Sequence, residues 1–177
     1  PEAWKKIDVL VNNAGLAAGL APVHEGSVDD WEQMIDTNVK GLLYMTRVIA
    51  PLMVARGHGH IINIGSIAGK EVYPNGNVYC GSKFAVDAIT KGTRIDLVKH
   101  HIKVTQIAPG AAETEFSLVR FKGDQAKAGQ VYKGYQPLVA EDVAEVVHYV
   151  TTLPAHVNIN DLVIMPTAQA STVVFNR

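Results

Sequence analysis

The chain reads as an α/β protein built on a parallel sheet with helices on its faces. Three observations predict it. Short continuous apolar runs, such as residues 7–11 and 60–65, have the composition of strands buried on both faces. They alternate with longer stretches of helical periodicity, and such alternation joins parallel strands by right-handed crossovers. At 177 residues, 47% hydrophobic and 19% charged, the composition suits one globular domain.

The first strand, residues 7–11, ends in Asn12-Asn13-Ala14-Gly15. It is apolar throughout, without the charges or proline that protect an edge, so it is expected in a sheet interior. Gly19, Pro22 and Gly26 punctuate a loop. Ser27 then offers a cap, with Asp29 and Asp30 behind it, for a helix over residues 28–55 that Gly41 and Pro51 bend. A strand follows at 60–65 and a second long helix at 78–100. A third strand, 102–107, stops at Pro109-Gly110. Residues 111–137 are polar and weakly patterned, the profile of a functional lid. A helix at 140–153, a strand at 162–165 and a tail of no clear type from Thr167 complete four strands.

A net charge of −1 and a pI near 6.8 point to neither nucleic acid nor an anionic membrane. No apolar run reaches the ~18 residues of a spanning helix. The opening PEAWKKIDVLV has too short an apolar run for a signal peptide, and no small-residue cleavage site follows it. The single cysteine, Cys80, excludes an internal disulfide framework, so a cytoplasmic enzyme is the simplest expectation. The seven histidines lack metal-ligand spacing. His58 and His60 flank Gly59 in an expected turn, and His100 and His101 close a helix.

The stretch GSIAGKEVYPNGNVYCGSK, from Gly65 to Lys83, carries the chemistry. Tyr79 and Lys83 stand four apart and share one helix face. Ser66, at the end of a buried strand, can face the same spot across the crevice. A phenol titrates near pH ~10, and a neighbouring ammonium should lower that value. Tyr79 is then a candidate general acid/base for an alcohol or carbonyl, coupled to hydride transfer by a nicotinamide.

Ser66, twelve residues, Tyr79, three residues, Lys83 resembles the active-site signature of the short-chain dehydrogenase/reductases. Asn12-Asn13-Ala14-Gly15, Asn38 and Pro109-Gly110-Ala111-Ala112-Glu113-Thr114 fall in the same order, and the resemblance covers nearly the whole chain. It implies a Rossmann-like, doubly wound sheet. It implies that Asn38 is a fourth catalytic residue on a distorted helix, its main-chain carbonyl holding a water that leads protons to Lys83. Ser66 would orient the substrate carbonyl, and Lys83 would bond the nicotinamide ribose. Asn12, Ala14 and Gly15 would brace the sheet beside the cofactor, and Pro109, Gly110 and Thr114 would position the nicotinamide carboxamide.

Arg120-Phe121-Lys122-Gly123-Asp124 and residues 153–160 resemble the NADP-dependent 3-hydroxy acid dehydrogenases, a subgroup that includes serine and allo-threonine dehydrogenases. NADP is the expected cofactor, with NAD also open, and a small 3-hydroxy acid or related carbonyl compound the expected substrate. Arg120 and Lys122 are candidate carboxylate ligands, arginine having the better fork geometry. Family members usually begin with a TGxxxGxG turn that holds the pyrophosphate. Nothing here matches it, so the chain reads as a C-terminal portion of a longer enzyme. The helices around 38–55 and 78–100 are expected to associate, giving a homotetramer whose tail touches a neighbour. A 3-oxoacyl reductase of the same family, or an inactive fragment with a structural role, is the alternative.

Overall fold

A computed structural model describes residues 5–177. Four parallel strands form one sheet in the order β1 (Val9–Asn12), β2 (Gly59–Ile64), β3 (Ile102–Pro109) and β4 (Asp161–Ile164). Leu10 pairs with Ile61, Ile61 with Val104, and Ile107 with Leu162. Side chains alternate along a strand. This register therefore puts Ile61, Asn63, Val104 and Gln106 on one face, and His60, Ile62, Thr105 and Ile107 on the other.

Helices cover both faces, as expected. On the first, Ile49 and Met53 of α2 (Leu42–Arg56) pack over Ile61, Ile102 and Val104. The second long helix, α3 (Asn77–Leu97), lies over the same face, and its Thr90 takes a hydrogen bond from Asn63 at 2.9 Å. On the second face, Val143, Val146, Val147 and Val150 of the helix at Ala140–Thr152 cover Ile62 and Ile107.

α1 (Val28–Ile35) starts where Ser27 accepts the Asp30 amide. The single helix expected over 28–55 is interrupted. A π-helical turn at Asp36–Gly41 separates α1 from α2 and contains Asn38, while Pro51 lies inside α2 without ending it. Gly57, at φ 69°, closes α2 in the left-handed region. α3 ends in a 3-10 turn at Val98–His100, and His101 takes φ 59°. Residues 111–137 are more ordered than their composition suggests: they hold two short helices, α4 (Phe116–Arg120) and α5 (Gln125–Val131). The helix at Ala140–Thr152 is therefore α6.

One expectation is corrected. Gly59 and His60, read as part of a turn, lie within β2, which starts one residue before the strand expected at 60–65; His60 is buried, with its Nε2 2.8 Å from Thr105 Oγ1. Among the described residues β1 pairs with β2 alone, and Val9 and Val11, on the α6 side, are each 40% exposed. α6 packs over Ile62, Ile107 and Ile164 on that face. The tail, of no clear type in the sequence, packs on part of the 111–137 segment. Phe175 packs on Tyr135 with ring centroids 5.1 Å apart, and Arg177 donates to the Lys133 carbonyl at 3.1 Å.

Candidate active site

Ser66 follows β2 directly and caps a 3-10 turn at Ile67–Gly69, its hydroxyl accepting the Ala68 amide at 3.0 Å. That turn lies against α3 only because residue 69 is glycine: a Cβ there would stand 2.6 Å from the Lys83 carbonyl oxygen. The contact brings Ser66 to the helix face that bears Tyr79 and Lys83. Both are buried, at 8% and 6% exposure. The Ser66 hydroxyl faces Tyr79 and favours its ionised form. Lys83 donates from Nζ to the Ile64 carbonyl at 3.0 Å, at the C-terminal end of β2. The convergence expected at the strand ends is present.

The electrostatics differ from the expectation. Burial pushes the Tyr79 phenol above the ordinary tyrosine range; Ser66 and the Arg120 guanidinium oppose this without reversing it. Lys83 is not among the largest influences on Tyr79. Its own burial brings the Lys83 ammonium down to about 8. An ammonium has three protons to donate, and here Lys83 uses one. A buried cation with donors to spare fits a polar ligand that brings hydroxyls, such as a cofactor ribose.

Asn38 is 2% exposed in the π-helical turn. Its Oδ1 accepts the Leu16 amide at 2.8 Å, and its Nδ2 donates to the Leu16 carbonyl at 2.8 Å and to Ser82 Oγ at 3.0 Å. The side chain is fully engaged in holding the loop after β1. Asn38 Oδ1 and Lys83 Nζ flank Gly15, each 3.3 Å from where a Cβ would sit. Asn12 is buried and donates to Asn63 Oδ1 at 2.8 Å and Thr46 Oγ1 at 3.1 Å, whereas Ala14 and Gly15 are exposed beside Lys83. Pro109 ends β3, and the Gly110 amide donates to the Ile164 carbonyl at 2.7 Å. Thr114, just before α4, accepts the Phe116 amide at 3.2 Å.

Of the two candidate carboxylate ligands, the structure separates one from the other. Lys122 pairs with Asp30 at 2.9 Å. Arg120 joins no ion pair among the described residues. Its guanidinium carbon lies 5.0 Å from the ring centroids of both Tyr79 and Phe116 and 5.6 Å from that of Tyr73. A cavity of about 30 Å³, lined by Trp31, Met34, Tyr79 and Arg120 among others, opens beside it.

Three contributors escaped the sequence reading. Ser82 donates to the Tyr79 carbonyl at 2.7 Å while accepting from Asn38. A hydroxyl three positions after Tyr79 on the same helix face was a readable signal. Tyr73 bonds Arg120. Gln169, in the tail, is buried and accepts the Ala111 amide at 2.7 Å, bracing the turn after β3; nothing in its surroundings in sequence announced that. Among the described residues no group of three or more His, Cys, Asp and Glu could hold a metal ion, and no helix is long and apolar enough to cross a membrane.

A family model described as short chain dehydrogenase matches residues 1–124. An NADP-dependent 3-hydroxy acid dehydrogenase of Escherichia coli strain K12 is 56% identical over 171 residues, covering 96% of this chain and 69% of that protein. Sulfoacetaldehyde reductase 2 of Chromohalobacter salexigens is 49% identical, covering 96% of this chain and 68% of its own length. The closed form of a serine dehydrogenase complexed with NADP+ superimposes with a TM-score of 0.95 at 53% identity, covering 100% of this chain and 72% of that one.

Proposed function

The chain belongs to the short-chain dehydrogenase family, and from that premise we propose that it is a cytoplasmic oxidoreductase that exchanges a hydride between NADP and a small 3-hydroxy acid or its carbonyl counterpart. The nicotinamide, when bound, supplies or takes the hydride. Tyr79 moves the proton to or from the substrate oxygen. Its burial keeps it a neutral phenol at ordinary pH, the form that donates to a carbonyl in the reductive direction. Ser66 hydrogen-bonds the same oxygen. Lys83 holds the cofactor ribose with its unused protons, between Gly15 and the end of β2. Asn38 fixes the loop after β1 and with it the floor of the site. Asn12, Ala14, Gly15, Pro109, Gly110 and Thr114 line the cofactor side. Residues 111–137 act as a lid that selects substrate.

The observation that carries the substrate class is Arg120: a guanidinium with no counter-ion among the described residues, set over the ring of Tyr79. The compounds named for the two relatives each bear an acidic group near the reacting carbon. Arg120 is placed to receive such a group. The test is turnover of 3-hydroxy acids by the purified protein with NADP+ and with NAD+, followed by the absorbance of the reduced nicotinamide. Faster NADP-linked oxidation of acids than of their uncharged amides supports the reading. Equal rates for acids and amides, or no turnover of either, overturns it.

The assembly we propose is a homotetramer. Leu43, Tyr44, Met45 and Val48 of α2 and Phe84 and Ile95 of α3 are exposed, more apolar surface than a solvated helix face carries. Light scattering that finds only monomers at micromolar concentration overturns this.

A further inference from the structure

We propose that Tyr73 is a positioning residue that aims Arg120 at the anionic group of the substrate; the proposal rests on the 3-hydroxy acid reading above. Tyr73 lies between the turn that Ser66 caps and the start of α3. Its hydroxyl accepts from Nη2 of Arg120 at 2.5 Å. Its ring is itself fixed, since it lies where a side chain on residue 76 would project: a Cβ on Gly76 would stand 2.1 Å from it. Arg120 approaches from the other side, on the last residue of α4. Its carbonyl takes the Gly19 amide at 3.0 Å, and the neighbouring Lys122 pairs with Asp30. The cation is thus carried by one part of the chain and aimed by another.

The partner's chemistry matters. A guanidinium has five N–H donors. Among the described residues the Tyr73 hydroxyl is its one hydrogen-bond acceptor, and Nε is buried without any. Unmet donors on a partly desolvated cation cost free energy until an acceptor arrives. An aspartate in place of Tyr73 would neutralise Arg120 and satisfy the site without substrate. A neutral phenol fixes the fork's direction and leaves its charge unanswered. Burial favours that neutral form of Tyr73. A carboxylate or sulfonate beside the reacting carbon supplies both the missing charge and the missing acceptors.

The test compares a 3-hydroxy acid with its uncharged amide in wild type, Tyr73→Phe and Arg120→Ala. Tyr73→Phe keeps the ring against Gly76 and removes only the hydroxyl. It should raise KM for the acid about tenfold more than KM for the amide, the scale of one hydrogen bond to a charged group. A rise equal for both compounds would mean a packing role and overturn the proposal. No rise, with Arg120→Ala still selective against the acid, overturns the role of Tyr73 and leaves that of Arg120 standing. An Arg120→Ala variant that does not discriminate overturns both together.

Discussion

Lys83 gives one of its protons to the Ile64 carbonyl, 3.0 Å away, at the end of the strand that delivers Ser66. The ammonium is thereby tied to the sheet rather than to the phenol one helical turn before it. Its burial is unfavourable. The folded value is about 8 against 10.5 for a free lysine, so the unfolded chain holds more protons between those pH values. Stability therefore rises as pH climbs from about 8 to 10.5, and the penalty is complete below about 8. Lys83→Met should raise the thermal midpoint at pH ~7, by up to about 3 kcal/mol in stability, while abolishing turnover and weakening cofactor binding. Melting and cofactor titration of the variant check this; a variant less stable than wild type at neutral pH would contradict it.

Tyr79→Phe removes one oxygen and keeps the ring against Phe116. Turnover should fall ~10²–10⁴-fold, with fold and cofactor affinity preserved. Near-normal kcat in this variant would remove Tyr79 from the acid/base role.

Arg120→Ala should raise KM for an acid substrate by roughly ten- to a hundredfold over that for an uncharged carbonyl analogue, the range for charged hydrogen bonds. Lys122→Ala should act differently, because Lys122 already has Asp30. It loosens the approach of residues 111–137 without selecting between charged and neutral substrates. Steady-state kinetics on the two compounds separates the cases.

His60 predicts an acid limit to stability. Burial, with the charge of Lys103 adding to it, brings His60 down to about 4 from 6.5. The unfolded chain then binds the extra proton between those values, so stability is full above pH 6.5 and is lost as pH falls toward about 4. The loss approaches roughly 3 kcal/mol. His60→Val, a strand former without a titrating ring, should flatten denaturation midpoints measured across that range. An unchanged slope would exclude His60 as its source.

Much of this site was legible because its spacing is local. Ser66, Tyr79 and Lys83 lie within one strand–turn–helix unit, where the helical period alone puts two of them on one face. The strands were legible for a similar reason, being apolar runs between turns. What escaped depends on contacts far apart in sequence. The distortion at Asn38 was implied, but its anchors, Leu16 and Ser82, both lie far from it in the chain. Gln169 reaches Ala111 from the tail. The phenol's upward shift comes from Phe116 and its surroundings closing over Tyr79, which the spacing of Tyr79 and Lys83 does not encode. Gly59 was misread because a glycine between two histidines looks like turn chemistry until a second strand pairs with it at Ile102.

The amides of Asn12 and Asn63 make a lock that checks strand alignment. Asn12 donates to Asn63, which donates to Thr90 of α3, which donates in turn to the Val86 carbonyl. If β1 slipped by one residue, Val11 would face Asn63 and Asn12 would turn to the α6 side, because side chains alternate faces. The Asn63 oxygen would then be stranded in the interior, at about 1–3 kcal/mol. Apolar packing alone would discriminate weakly here, since Leu10 and Val11 are near equivalents as strand residues. The polar chain supplies the proofreading. It also ties the alignment of β1 to the helix that bears Tyr79 and Lys83, so a molecule with misaligned β1 would be recognised first by a disturbed Thr90. Exchange of the Thr90 hydroxyl and the Asn63 side-chain amide is the place to look for that error during refolding.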